Sequence, residues 1–259
     1  MTLWSNTLHT ELSTRTPTVD LAVGGVLALL AAVAVHSALE PGSAYVVAVV
    51  LGYLLLAAVI WLRWPRKGWS AGFWTGRQGQ PLLTLGWGNR VTLVRGIVVL
   101  LVLAALSVPA WAAEHAWLLA LLSLAVLSLD GLDGWTARRT GTISAFGARF
   151  DMELDAVFIL GLACLLVVLD RAGIWVLLLG LMRYAFFAAG YWLAWMRAAL
   201  PASRRRQAVC VWQVATLLAC LPPWLPQTLV AVALSTALGL LVLSFLIDIV
   251  WLYRHGKRA

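Results

Sequence analysis

Charge is scarce in this chain. Of its 259 residues only 12% are Asp, Glu, Lys or Arg, while 62% are hydrophobic, and the mean hydropathy is +0.90. A soluble domain carries about a quarter of its residues as charges, so a water-soluble globular class is excluded and a membrane class is indicated. Cysteine is nearly absent. Cys164, Cys210 and Cys220 lie in apolar stretches with no CxxC spacing, which argues against a disulfide framework or a thiolate metal site and leaves them as filler. The four histidines, His9, His36, His115 and His255, are scattered without ligand spacing. Acids are outnumbered, 11 against 19 basic residues, for a net charge of +8. In a soluble protein that excess would point to nucleic acid. In a membrane chain its distribution matters instead, and no nucleic-acid partner is expected.

What the chain has in abundance is long apolar runs. Eight stretches come near the length needed to cross a bilayer: about 20–39, 44–62, 91–109, 114–131, 147–169, 172–196, 207–225 and 227–250. The fold expected is an all-α integral membrane protein of about eight transmembrane helices. Some twenty polar residues without a basic cluster precede the first run, and no small-residue cleavage site leads into a soluble domain, so it reads as a retained span and not a signal peptide. The first two runs, joined at Pro41-Gly42, form a hairpin that reads as an accessory packing or dimer element. The segment Arg63 to Gln80 follows, with Trp64, Trp69 and Trp74 suited to headgroup depth. Most of the 15 tryptophans fall near span ends, as a membrane belt requires.

With a cytoplasmic amino terminus, the loops after the second, fourth, sixth and eighth spans and their flanks hold Arg63, Arg66, Lys67, Arg77, Arg90, Arg138, Arg139, Arg149, Arg197, Arg204, Arg205, Arg206, Arg254, Lys257 and Arg258, and the opposite face holds only Arg171. This is the positive-inside pattern. It places both termini, and the inner ends of the fourth and fifth spans, on the cytoplasmic side of a bacterial-type inner membrane.

Those two span ends carry five of the chain's 11 acids. Residues 130–155 follow the pattern D-x2-D-G-x2-A-R-x8-G-x3-D-x3-D, filled by Asp130, Asp133, Gly134, Ala137, Arg138, Gly147, Asp151 and Asp155. On helices, residues three or four apart share a face, so Asp130, Asp133, Gly134 and Ala137 form one stripe and Gly147, Asp151 and Asp155 another. The polar link Arg139 to Ser144 lets the two helices lie antiparallel, and the small residues allow close approach. Four facing carboxylates repel one another unless a cation sits among them. All-oxygen ligands suit Mg2+ or Mn2+ and not zinc. Two such ions bridging a pyrophosphate, with one carboxylate left as a base, constitute phosphoryl-transfer chemistry. Glu153 points elsewhere on its helix. Intramembrane acids are costly and usually functional, which favours this reading over helix-end acids paired with Arg138, Arg139 or Arg149.

The spacing resembles the signature of the CDP-alcohol phosphatidyltransferase family, integral membrane enzymes that make phospholipid headgroups, and matches it at all eight positions. Asn89-x-x-Thr92-x-x-Arg95 is similar to the polar start of that family's first core helix, with Gly88 where a proline is often found. The resemblance covers about residues 85–252 and implies a six-helix core over 85–259, preceded by the hairpin and linker, 1–84. It implies that Asp130, Asp133, Asp151 and Asp155 bind two divalent ions and that Asp155 takes the proton of the attacking alcohol. Gly134 and Arg138 look like donor contacts, and Asn89, Thr92, Ala137 and Gly147 fall with them. Ser144 either donates to the donor's phosphates or N-caps the next helix.

Arg95 and Arg183 lie within spans and need a partner or a wet cavity. Either they neutralise acids such as Asp248, or, with the run Arg204-Arg205-Arg206, they line a basic pocket for a phosphate-bearing acceptor. The implied activity is transfer of a phosphatidyl group from CDP-diacylglycerol to a polar alcohol, glycerol 3-phosphate first among candidates, with release of CMP. Two alternatives stay open: a CDP-choline or CDP-ethanolamine enzyme acting on diacylglycerol, and a non-enzymatic transporter or scaffold with a cation site. The family's tendency suggests a homodimer in the lipid bilayer.

Overall fold

The computed structural model describes residues 17–63, 85–140, 145–198, 200, 201 and 203–255. Every regular element among them is helical. In chain order these are α1 (Thr18–Leu39), α2 (Ser43–Arg63), α3 (Gly86–Ala104), α4 (Pro109–Glu114), α5 (Ala116–Thr140), α6 (Ala145–Val168), α7 (Leu178–Trp192), α8 (Arg204–Cys220) and α9 (Gln227–His255), with 3-10 turns at Ala105–Ser107, Ile174–Leu177 and Ala194–Arg197. Five segments are long and apolar enough to cross a membrane: α1, α2, α3 with its 3-10 extension, α7 with its preceding turn, and α9. The apolar part of α5, Ala116–Leu132, is shorter. α6 has the length but carries Asp151, Glu153 and Asp155 along it, and α8 has only 17 residues and opens with three arginines. The chain is an integral membrane protein, in which α6 is set apart by the acids it carries and α8 by its length.

The distribution of side chains is that of a lipid solvent. Leucines and valines along α1, α2 and α9, such as Leu30, Leu55 and Leu243, are exposed, while Asn89, Thr92, Arg95, Ser123, Gln213, Thr216, Ser244 and Asp248 are buried. A bilayer accepts apolar surface freely but offers no partner to a polar group, so polar groups turn toward protein.

Two compact units divide the chain: residues 1–108 with 122–154, and 109–121 with 155–259. In the first unit, the hairpin turns at Glu40 and Gly42, both at positive φ (48° and 96°), and the Glu40 amide closes α1 on the His36 carbonyl at 3.1 Å. Glycine accepts such a φ without strain. The hairpin is then bonded along its length. Tyr53 Oη donates to the Leu21 carbonyl at 2.6 Å. At the far end of α3 the Ala105 amide turns to the Val102 and Leu103 carbonyls, and Tyr45 Oη donates to that of Leu101 at 2.8 Å. At the near end Asp20 accepts from the Leu85 amide at 3.2 Å and pairs with Arg90 at 2.9 Å. The first core helix is therefore tied to the hairpin at both ends.

In the second unit, Gly180 lets α7 approach α6 closely: a Cβ there would lie 2.7 Å from Leu160 Cα. Gln213 Nε2 donates to the Leu179 carbonyl at 2.6 Å, joining α8 to α7. The sixth apolar run, expected to continue to residue 196, breaks at Leu193. Arg197 explains the break, since Nε and Nη2 donate to the Gly190 and Tyr191 carbonyls at 2.7 and 2.9 Å and satisfy the end of α7. Arg171 does the same for the turn after α8, donating to the Cys220, Pro222 and Leu225 carbonyls.

Two measurements follow. Tyr45→Phe removes the donor to a buried carbonyl and is expected to cost about 1–2 kcal/mol, seen as a lower thermal unfolding midpoint in detergent. Asp20→Ala is expected to lower the midpoint more than Arg90→Gln does, because Asp20 also caps the Leu85 amide; equal losses would show that the cap contributes nothing.

Candidate active site

The site begins at the start of α3, where a polar stripe is sealed inside protein. Asn89, Thr92 and Arg95 recur every three residues and are 4%, 3% and 0% exposed. The first two bond to their own helix: Asn89 Nδ2 donates to the Leu85 carbonyl at 2.6 Å, and Thr92 Oγ1 to that of Gly88 at 3.2 Å. Arg95 reaches outward. Its Nη1 donates to Asp130 Oδ1 on α5 and its Nη2 to Asp151 Oδ1 on α6, so one guanidinium joins three helices. The Arg95 side chain is fully buried, while those of Asp130 and Asp151 are 41% and 35% exposed. The acids thus have one side on a buried cation and another open.

Asp155 stands one turn beyond Asp151 on the uninterrupted helix α6, which itself brings the two carboxylates to one face. One carboxylate oxygen from each of Asp130, Asp151 and Asp155 can be chosen so that all lie within 4.8 Å of one another. All three residues are half-buried, whereas Glu153 is exposed. Gly147, one turn before Asp151, is half-buried as well. α5 runs to Thr140, two residues into the expected link, and α6 starts at Ala145, with 141–144 outside the described residues. Asp133, Gly134, Ala137 and Arg138 of the motif lie outside the residues whose side chains are described, as do Ser144 and residues 64–80, the segment expected at headgroup depth.

Such a cluster of carboxylate oxygens fits hard divalent ions by the chemistry of its donors. Arg95 supplies one positive charge against at least three negative ones, so the cluster retains net negative charge for an incoming cation.

The basic residues grouped with the acceptor have separate fates. Arg95 is on the acids, as above. In the second unit Arg205 Nη1 donates to Ser244 Oγ at 2.6 Å and its Nη2 pairs with Asp248, while Arg206 lies 3.4 Å from the same carboxylate. Asp248, the acid considered as a partner for Arg95 or Arg183, is thus held by Arg205 and Arg206. Arg183 lies over the Phe187 ring at 5.5 Å, and Arg204 is exposed.

Sequence reasoning missed Asp20, a hairpin residue that anchors the helix bearing Arg95. Its one visible signal is an acid at the mouth of an apolar run. Nothing in the spacing connects it to Leu85, 65 residues away.

Among known proteins, the model of the family described as CDP-alcohol phosphatidyltransferase matches residues 87–249, well over half of the chain. No curated protein and no solved structure matches it.

Asp248→Asn leaves the half-buried Arg205 without its anion and is expected to destabilise by about 1–3 kcal/mol, less than a fully buried pair because Arg205 is partly exposed. In a double-mutant cycle with Arg205→Gln the losses should be clearly less than additive. Additive losses in thermal unfolding would mean that the pair does not couple.

Proposed function

The chain belongs to the CDP-alcohol phosphatidyltransferase family, and on that premise we propose that it transfers the phosphatidyl group of CDP-diacylglycerol to a polar alcohol and releases CMP. The observation that carries this reading is the convergence of Asp130, Asp151 and Asp155, on two helix ends joined by a short link, within the part of the chain that the family covers. In the proposed reaction the acceptor's hydroxyl oxygen attacks the β-phosphorus in line, the bond from that phosphorus to the CMP oxygen breaks, and CMP leaves with the electron pair. Asp155 accepts the hydroxyl proton as the new P–O bond forms. Asp130, Asp133, Asp151 and Asp155 would hold two Mg2+ or Mn2+ ions, whose chemistry when bound is neutralisation of the pyrophosphate and stabilisation of the leaving oxygen.

Donor contacts fall to Asn89, Thr92, Gly134, Ala137, Arg138, Ser144 and Gly147. The small residues leave room for the nucleotide, and arginine grips phosphate through two parallel bonds. Glycerol 3-phosphate is the acceptor proposed first, with Arg183 and the 204–206 run as the source of its counter-charge. The six-helix core would start at about residue 85, after the hairpin, with eight spans in all, both termini cytoplasmic, the site facing the cytoplasm where soluble substrates reach it, and a homodimer as the assembly. The positive-inside distribution supports that orientation.

The test is CMP release by purified protein given labelled CDP-diacylglycerol, Mn2+ or Mg2+ and a panel of alcohols. Glycerol 3-phosphate should give the highest rate; CMP release only with CDP-choline or CDP-ethanolamine and diacylglycerol would reverse the assignment of donor and acceptor, and none with any pair would leave a cation-binding scaffold or transporter. Asp155→Asn should lower kcat by about 100-fold or more with donor binding largely kept, whereas Asp130→Asn should weaken metal binding as well.

A further inference from the structure

Arg95 is the one fully buried arginine among the described residues, and it does more than cancel charge. Its two terminal nitrogens bond carboxylates on two different helices, Asp130 on α5 and Asp151 on α6. A guanidinium is a rigid planar fork that stays charged, so the positions of its two nitrogens fix the two oxygens that meet them. A lysine, a point charge on a flexible stem, meets one of them at a time. Both of these bonds are made to the Oδ1 oxygen of the acid.

The helix that carries the fork is itself held. Asp20 caps the Leu85 amide, Tyr45 holds the Leu101 carbonyl, and between them Gly96 brings α3 close to Leu56 of α2 and Leu154 of α6. Arg95 therefore sits on a fixed element, and the acids are set against it.

We propose that Arg95 is the positioning residue of the acid cluster: its fork sets the spacing of Asp130 and Asp151 and so determines how tightly the cluster holds a divalent cation. This rests on the metal-binding reading of those acids given above. Two effects oppose one another here. A permanent positive charge beside the cluster repels an incoming cation, and a fixed ligand spacing favours it. Small divalent ions demand near-ideal ligand geometry, and losing a group that orients a ligand typically weakens metal binding about 10- to 100-fold. Positioning therefore outweighs repulsion.

The experiment is a Mn2+ titration of the full chain in detergent, without substrates, read by the loss of the free Mn2+ electron paramagnetic resonance signal. Arg95→Lys keeps the charge and loses the fork, and is expected to raise the Mn2+ dissociation constant about 10- to 100-fold. Arg95→Gln should weaken binding as well. Wild-type affinity in Arg95→Lys, or tighter binding in Arg95→Gln, would overturn the proposal, the second outcome making Arg95 a placeholder that the ion displaces. Thermal unfolding of the same samples separates a merely structural role, which moves the midpoint and leaves Mn2+ affinity per folded molecule unchanged. Gly96→Val decides the matter if the Arg95 variants do not fold. It keeps every charge, but a Cβ at 96 would already lie 3.2 Å from Leu56 Cδ2 and 3.8 Å from Leu154 Cδ1, so the branched side chain pushes α3 off its neighbours and should also weaken Mn2+ binding. Wild-type affinity in that variant would count against the proposal. Failure of the wild-type protein to bind Mn2+ would instead remove the metal-binding reading, and the positioning role with it.

Discussion

A guanidinium inside a membrane helix is costly unless anions meet it, and carboxylates crowded at two helix ends are costly unless a cation meets them. Arg95, Asp130 and Asp151 satisfy both requirements at once. The bond pattern makes three helices mutually dependent: α3 cannot bury Arg95 without α5 and α6, and those helices cannot face their acids together without the arginine between them. A buried ion pair of this kind contributes little net stability, because desolvation offsets most of the attraction. What it does supply is geometry. Removing one partner strands the others, so the arrangement is fixed more strongly than its net energy implies.

That geometry extends outward through ordinary contacts. α3 reaches the acids at the right depth because its first amide is capped by Asp20, and because Tyr45 takes the carbonyl left over where the helix tightens into a 3-10 turn. Both contacts come from the hairpin, in which the sequence shows no chemistry. Hydrophobic burial cannot set this register, since lipid is as good a solvent for leucine as another helix is. The alternatives are small residues that permit close approach and polar bonds that specify depth, and the first unit uses both.

The acid motif was legible because its information is local. Spacings of three and four residues put Asp130 and Asp133 on one face and Asp151 and Asp155 on another, and the short polar link is enough to bring two such faces together. Helix α5 runs to Thr140, two residues into the link expected over Arg139 to Ser144, and α6 starts at Ala145. Eight apolar runs correspond to helical segments in the structure, but their ends were less legible. The sixth run ends early because Arg197 folds back on the last carbonyls of α7, and apolar composition carries no trace of that bond. Partner choice was the least legible. Arg95 and Asp248 each needed an opposite charge, and sequence offered each several. The true partners lie 35 and 56 residues from Arg95 and 43 from Asp248, separations over which no periodicity acts.

The fate of the basic residues bears on what an acceptor meets. Sequence grouped Arg95, Arg183, Arg204, Arg205 and Arg206 as five cations for an anionic alcohol. In the structure Arg95 is on the metal-site candidates, and Arg205 and Arg206 converge on Asp248, which is itself only 7% exposed. A phosphate-bearing acceptor that recruited Arg205 would have to compete with a carboxylate already bonded to it, and breaking that pair would leave Asp248 buried with one fewer partner. Arg204 is exposed at the start of α8, and Arg183 packs on Phe187. On the proposed reading Arg205 and Arg206 are thus the costlier cations of that run for an acceptor to recruit, and the Arg205–Asp248 pair also ties the start of α8 to α9.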